Sequence, residues 1–117
     1  MLGAAIDLSA DQFSITDAEI DGMVGVAVSG ELDAATSDRL AAALGAIDGD
    51  SILLDLEACT FVDSSGIRTI VEAVRRLADN DRELVVCNVR GQVRELLELV
   101  ELDSLDGVRV HLGPPTD

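Results

Sequence analysis

Two runs of alternating character come first: Phe13 and Ile15 against Ser14 and Thr16, then Val24, Val26 and Val28 among small residues. A period of two belongs to a strand with one face buried. Asp21-Gly22 between the runs is a two-residue turn signal, so the segment predicts a β-hairpin. From Asp33 the period lengthens: Leu40, Leu44 and Ile47 recur at helical spacing among alanines, and Asp48-Gly49-Asp50 ends a first helix.

Ile52-Leu53-Leu54-Asp55-Leu56 is an almost unbroken apolar run. Such a run marks a strand covered on both faces in a parallel sheet, which predicts a central strand. Ile67, Ile70, Val71, Val74 and Leu77 then form one helical face, with Arg68, Glu72, Arg75 and Arg76 on the other. Leu84-Val85-Val86-Cys87 predicts a further strand. Val93, Leu96, Leu97 and Val100 at i, i+3, i+4, i+7 predict a third helix, and the alternation of Val108, Val110 and Leu112 a last strand. The order ββαβαβαβ implies right-handed parallel βαβ crossovers. The expected class is therefore α/β: a mixed, mostly parallel sheet opened by a β-hairpin and covered by about three helices. No linker or internal repeat interrupts it, so residues 1–117 read as one domain with a core of about 13–112 and a frayed, flexible tail at 113–117.

Composition narrows this picture. A chain of 117 residues can bury a core without disulfides or metals. With aromatics at 2% and hydrophobic residues at 48%, that core must be aliphatic. No apolar run approaches the roughly 20 residues of a membrane span. The opening Met1-Leu2-Gly3-Ala4-Ala5-Ile6-Asp7 has no basic residue and does not read as a secretory signal, so the expected location is cytoplasmic. The formal charge is −15, and every basic residue is Arg. Such a charge repels nucleic-acid phosphates and anionic lipid heads, so neither DNA nor membrane is an expected partner. The absence of lysine excludes P-loop nucleotide binding of the usual kind and Schiff-base chemistry, both of which need an ε-amine.

The working edge of such a sheet lies at the carboxyl ends of its parallel strands. Three segments are expected there: Gly30 to Thr36, Phe61 to Gly66, and Asn88 to Gly91. Asp63-Ser64-Ser65-Gly66 directly precedes an apolar helical stripe, where Asp63, Ser64 or Ser65 suits an N-cap. The same turn suits modification, since an exposed small hydroxyl beside glycine lets another enzyme approach the backbone. A phosphate there adds about −1.5 to −2 charges that a helix N-terminus tolerates. Capping and modification are compatible.

Other chemistry reads weakly. Ser64 or Ser65 as a nucleophile needs a base and an orienting group, but the lone histidine, His111, falls in the last strand, and no Gly-x-Ser-x-Gly elbow is present. Asp79-Asn80-Asp81 falls short of a calcium loop and reads as a polar turn, so no metal and no cofactor are expected. Cys59 and Cys87 read either as small buried hydrophobes or as a redox pair joining neighbouring strands, which requires Cα atoms within about 7 Å.

Gly30-Glu31-Leu32-Asp33, Leu54-Asp55-Leu56 and Phe61-Val62-Asp63-Ser64-Ser65-Gly66-Ile67 together resemble the STAS domain family, over about Phe13 to Leu112. As a short domain without transporter spans, the chain is most similar to bacterial anti-sigma factor antagonists. That resemblance implies a non-enzymatic regulator of sigma-factor-dependent transcription whose Ser64, directly after the motif aspartate, is phosphorylated. It implies as partners an anti-sigma factor that is also a serine kinase, bound when Ser64 is unmodified, and a serine phosphatase. ATP and magnesium belong to the kinase. Asp33, Asp63, Ser65, Gly66 and Arg68 are the positions expected to contact the partner or support the phosphosite. For Asp33 the rival reading is the N-cap of the first helix, and for Arg68 and Arg90 a solvated surface. Many relatives continue into a further C-terminal helix, whereas this chain stops just after Leu112, so contacts from that helix are expected to be lacking. The alternative function is a STAS adaptor not controlled by phosphate, responding to redox through Cys59 and Cys87 or to a small ligand.

Overall fold

The computed structural model describes residues 12–115, so the reading of residues 1–7 lies outside the described residues. The elements are β1 (Ser14–Ile20), β2 (Met23–Leu32), α1 (Ser37–Gly45), β3 (Ser51–Val62), α2 (Ser64–Ala78), β4 (Glu83–Cys87), α3 (Gly91–Leu99) and β5 (Val108–Val110), with a 3-10 turn at Leu102–Ser104. Their order is ββαβαβαβ, as the periodicity predicts. β1 and β2 pair antiparallel around a tight turn in which Asp21 and Gly22 both take positive φ, 54° and 85°. That is the turn whose twist matches a hairpin's own.

The sheet runs β1-β2-β3-β4-β5, parallel from β2 onward. Its order never reverses, so right-handed crossovers deliver every helix to the same face. Leu40 and Leu44 of α1, Ile70, Val74 and Leu77 of α2, and Val93 and Leu97 of α3 accordingly share one core. They meet Val26, Val28, Ile52, Leu54, Leu56, Leu84 and Val86 from alternate strand positions. The apolar run of β3 predicts cover on both faces, and Leu53 on the far face is indeed fully buried. The cover is not two helix layers, however, because the helices lie on one side only.

Several boundaries differ from the sequence reading. β2 continues through Gly30-Glu31-Leu32, and β3 through Phe61-Val62, so the first part of each expected loop is strand, joined through bulged register shifts. Gly30 sits at one shift with φ +100°, and a Cβ there would overlap the Gln12 carbonyl oxygen, so glycine is required. α1 begins at Ser37, not Asp33, and ends before Ile47, which packs half-buried against the core. Finally, the tail is tied down as far as Pro115. His111 N–H donates to the Val86 carbonyl at 2.8 Å, Asn88 N–H donates to the Gly113 carbonyl at 2.9 Å, and Pro115 is buried. These contacts hold residues 113 and 115 against the domain, while 116–117 lie outside the described residues. No helix among the described residues is long and apolar enough to cross a membrane.

Candidate functional site

The Asp63 to Gly66 turn emerges where β3 hands over to α2 at the carboxyl edge of the sheet. Leu32 of β2 pairs with Val62 of β3, and one residue on the Asp63 N–H donates to the Leu32 carbonyl at 3.1 Å, carrying the ladder into the turn. Asp63 is the N-cap of α2. Its backbone is extended, and its Oδ1 accepts from Ser65 N–H at 2.8 Å and Gly66 N–H at 3.1 Å. Two otherwise unpaired helix donors are thus satisfied by a carboxylate placed at the positive end of the helix dipole.

Gly66 is buried because the first turn of α2 rests against the ends of β2 and β3. A Cβ there would lie 2.8 Å from the Leu32 carbonyl oxygen and 2.9 Å from both Leu32 Cγ and Val62 Cγ1. Ser65 is half-buried. Ser64, the first helical residue, is exposed, and its hydroxyl makes no hydrogen bond to another described residue. The motif therefore spends Asp63 on capping and Gly66 on close packing, and leaves Ser64 facing solvent. No base among the described residues holds its hydroxyl.

Asp33 stands beside this turn without bonding Ser64. Its Oδ1 accepts from Ala35 N–H at 3.0 Å and from Thr36 Oγ1 at 3.1 Å, while Thr36 Oγ1 accepts from Asp33 N–H at 2.9 Å. This reciprocal turn precedes α1. The helix N-cap is Thr36, not Asp33, and the structure corrects the capping reading accordingly. Arg68 is exposed on α2 and makes no ion pair to another described residue. Arg90 meets Glu57 at 3.5 Å, a surface pair worth little. Glu31, Asp33 and Asp63 leave the edge acidic, with Phe61, 39% exposed, opposite Glu31 in the β2–β3 pairing.

Cys59 and Cys87 do not come together. Cys87 lies opposite Asp55 in the β3–β4 pairing, four residues short of Cys59, and since the bulged stretch from Asp55 to Cys59 matches Ala27 to Gly30 of β2, the two are roughly 10 Å apart along the strands. Both are free and buried. A disulfide between them is excluded in this fold, which removes the physical basis for a switch formed by that pair. Burial, with the Asp55 and Glu57 charges adding to it, pushes the Cys87 thiol up to about 12. Burial also raises Cys59, opposed in part by hydrogen bonding to the Phe61 and Leu32 backbone. Neither thiol is activated.

One residue of the site escaped the sequence reading. The Gln92 side chain of α3 accepts from Val62 N–H and donates to the Val62 carbonyl, both at 3.0 Å. Nothing in local spacing signals such a contact, because its partner is backbone thirty positions away.

Comparison with known proteins places the arrangement. The STAS domain model matches residues 14–113. The anti-sigma-B factor antagonist of Staphylococcus aureus is 32% identical over 100 residues, 83% of this chain and 89% of its own. An anti-sigma factor antagonist from Mycobacterium paratuberculosis superposes with a TM-score of 0.70 at 26% identity, over 88% of both chains. The Bacillus cell fate determinant SpoIIAA in its phosphorylated form shares the fold, with a TM-score of 0.60 at 20% identity over 84% of this chain and 89% of its own.

Proposed function

The chain belongs to the STAS domain family, and we propose that it is an anti-sigma factor antagonist switched by phosphate on Ser64. In the unphosphorylated state its acidic carboxyl edge binds an anti-sigma factor that is also a serine kinase, freeing a sigma factor for transcription. The observation that carries this reading is the Ser64 hydroxyl, exposed at the start of a helix whose cap and close packing are supplied by its neighbours. It is supported by the relatives of Staphylococcus and Mycobacterium, which bear the antagonist description.

In the transfer step the Ser64 Oγ attacks the γ-phosphorus of ATP held by the kinase. The bond to the β-phosphate oxygen breaks, ADP leaves, and the hydroxyl proton passes to a base of the kinase. Asp63 holds the turn in shape, Ser65 and Gly66 give it their N–H groups, and Asp33 rigidifies the neighbouring segment. Arg68 lies one turn on, and helical side chains lean toward the N-terminus, so its guanidinium offers an i, i+4 counter-charge to the new phosphate. While ADP is still in the kinase site, the product phosphate lies against its phosphates. Like charges at that junction cost several kcal/mol, and at about 1.4 kcal/mol per tenfold the loss of affinity is about a hundredfold or more. A serine phosphatase then restores the binding form.

The test is incubation with candidate anti-sigma kinases and ATP, followed by peptide mapping and binding assays on Ser64→Ala and Ser64→Glu. The alanine form stays bound and unmodified, while the glutamate form binds weakly. Equal binding by both variants would remove the switch.

A further inference from the structure

β4 ends at Cys87, opposite Asp55, whereas β3 continues to Val62. Beyond Asp55 the β4 side of β3 therefore has no strand beside it, and both backbone groups of Val62 point that way, since the β2 side is served by the following Asp63 N–H. Gln92 fills that place. Its amide offers the donor and acceptor that a neighbouring strand would present, at 3.0 Å each, from the second residue of α3. The next residue along is the Asp63 cap.

We propose that Gln92 is a positioning residue for the Ser64 turn. The turn is anchored on one side by the Leu32 carbonyl and on the other by Gln92, so its setting relative to the sheet depends on an amide from α3. Without that amide the Val62 N–H and carbonyl lose their partners, the end of β3 loosens, and Asp63 no longer presents its carboxylate steadily to Ser65 and Gly66. The Ser64 hydroxyl then samples orientations that a kinase site cannot use. This last consequence rests on the function proposed above, but the positioning itself does not.

Two measurements on full-length Gln92→Ala separate these claims. Amide hydrogen exchange reads the anchoring directly. With two hydrogen bonds removed, exchange at Val62, Ser65 and Gly66 accelerates roughly tenfold or more, while Val85 in β4 and Leu44 in α1 keep their rates. Acceleration at Val62 alone, or equally at all five amides, overturns the proposal. The first means that Gln92 only covers Val62, and the second that it stabilises the whole domain without regard to the turn. Phosphorylation kinetics read the consequence: kcat falls roughly tenfold with KM unchanged. Gln92→Glu keeps the acceptor and loses the donor, so its exchange rates fall between those of the parent and the alanine variant. If no kinase modifies Ser64 in the parent chain, the functional reading fails while the exchange data still decide the role of Gln92.

Discussion

Replacing Gly66 by alanine sets two magnitudes of opposite sign against each other. In an open helix the change is stabilising by roughly 1 kcal/mol, because glycine carries the larger backbone entropy. Here the new methyl would meet Leu32 O at 2.8 Å and two side-chain carbons at 2.9 Å. The oxygen is backbone, already bound by Asp63 N–H, and Leu32 and Val62 are both fully buried, so none of the three can step aside cheaply. The first turn of α2 must move outward instead, at an overpacking cost of typically about 1–3 kcal/mol and with strain on the Asp63 cap. Overpacking less the propensity gain leaves about 0–2 kcal/mol, and strain on the Asp63 cap brings the expected loss for Gly66→Ala to about 1–2 kcal/mol, a melting point roughly 5 °C lower. Urea unfolding monitored by circular dichroism checks this: the midpoint falls and the slope is unchanged. A Gly66→Ala protein as stable as the parent would refute the reasoning, since it would mean that α2 does not rest on Leu32 as closely as the geometry requires.

Further outcomes follow from the thiols and from the far edge of the sheet. Native protein at pH 8 reacts negligibly with a thiol reagent at Cys59 or Cys87, both react after denaturation, and oxidant produces no intramolecular disulfide; a Cys59–Cys87 crosslink in native protein would contradict the strand stagger. Because the Cys87 proton is held more tightly folded, with a pKa of about 12 against an ordinary 9.0, its contribution is complete below pH 9 and is lost as pH rises toward 12. Alkaline destabilisation measured by urea titration is therefore shallower in Cys87→Ala. Burial pushes the Glu83 carboxyl up, but hydrogen bonds from Ser51 and Arg109 and the charge of Arg109 outweigh it and hold the group below its ordinary value. Its contribution is present above the ordinary carboxylate range and disappears as pH falls through the folded value. Arg109→Gln thus costs no more than about 1 kcal/mol at neutral pH, and its stability meets that of the parent once Glu83 is protonated.

What the sequence makes legible follows from what periodicity encodes. Element order and the hairpin are readable because alternation and helical spacing report burial directly, and Asp21-Gly22 carries its own turn geometry. The Asp63 cap is readable because its partners lie two and three residues away. The extensions of β2 and β3 are not, since they depend on bulged pairing between strands remote in sequence. The one-sided helix layer is equally hidden. An apolar β3 looks the same whether its far face is covered by helices or by something else, and only the unreversed strand order decides between them. Asp33 misleads because aspartate is suited both to capping a helix and to closing the side-chain turn with Thr36 that precedes one. Cys59 and Cys87 fall on adjacent strands as the pattern suggests, but adjacency says nothing of stagger, and stagger separates them.

The charge of the chain constrains how the proposed switch can work. A phosphate adds about −1.5 to −2 to a chain already at −15. If release depended on the overall field, so small a fractional change would scarcely alter partner affinity, and salt would screen even that beyond about 8 Å. The effect must therefore be local, acting where the partner excludes water and the phosphate meets like charge at contact distance. That requirement gives the packing of the turn its functional meaning on this reading. Gly66 and Asp63 fix where α2 begins, the Leu32 carbonyl and Gln92 fix where β3 ends, and Ser64 is the one residue of the motif left outside both sets of contacts. A turn free to swing its phosphate away from the interface by a few ångströms would release the partner poorly. Rigid placement of a single exposed hydroxyl, more than total charge, is what the proposed mechanism demands of this domain.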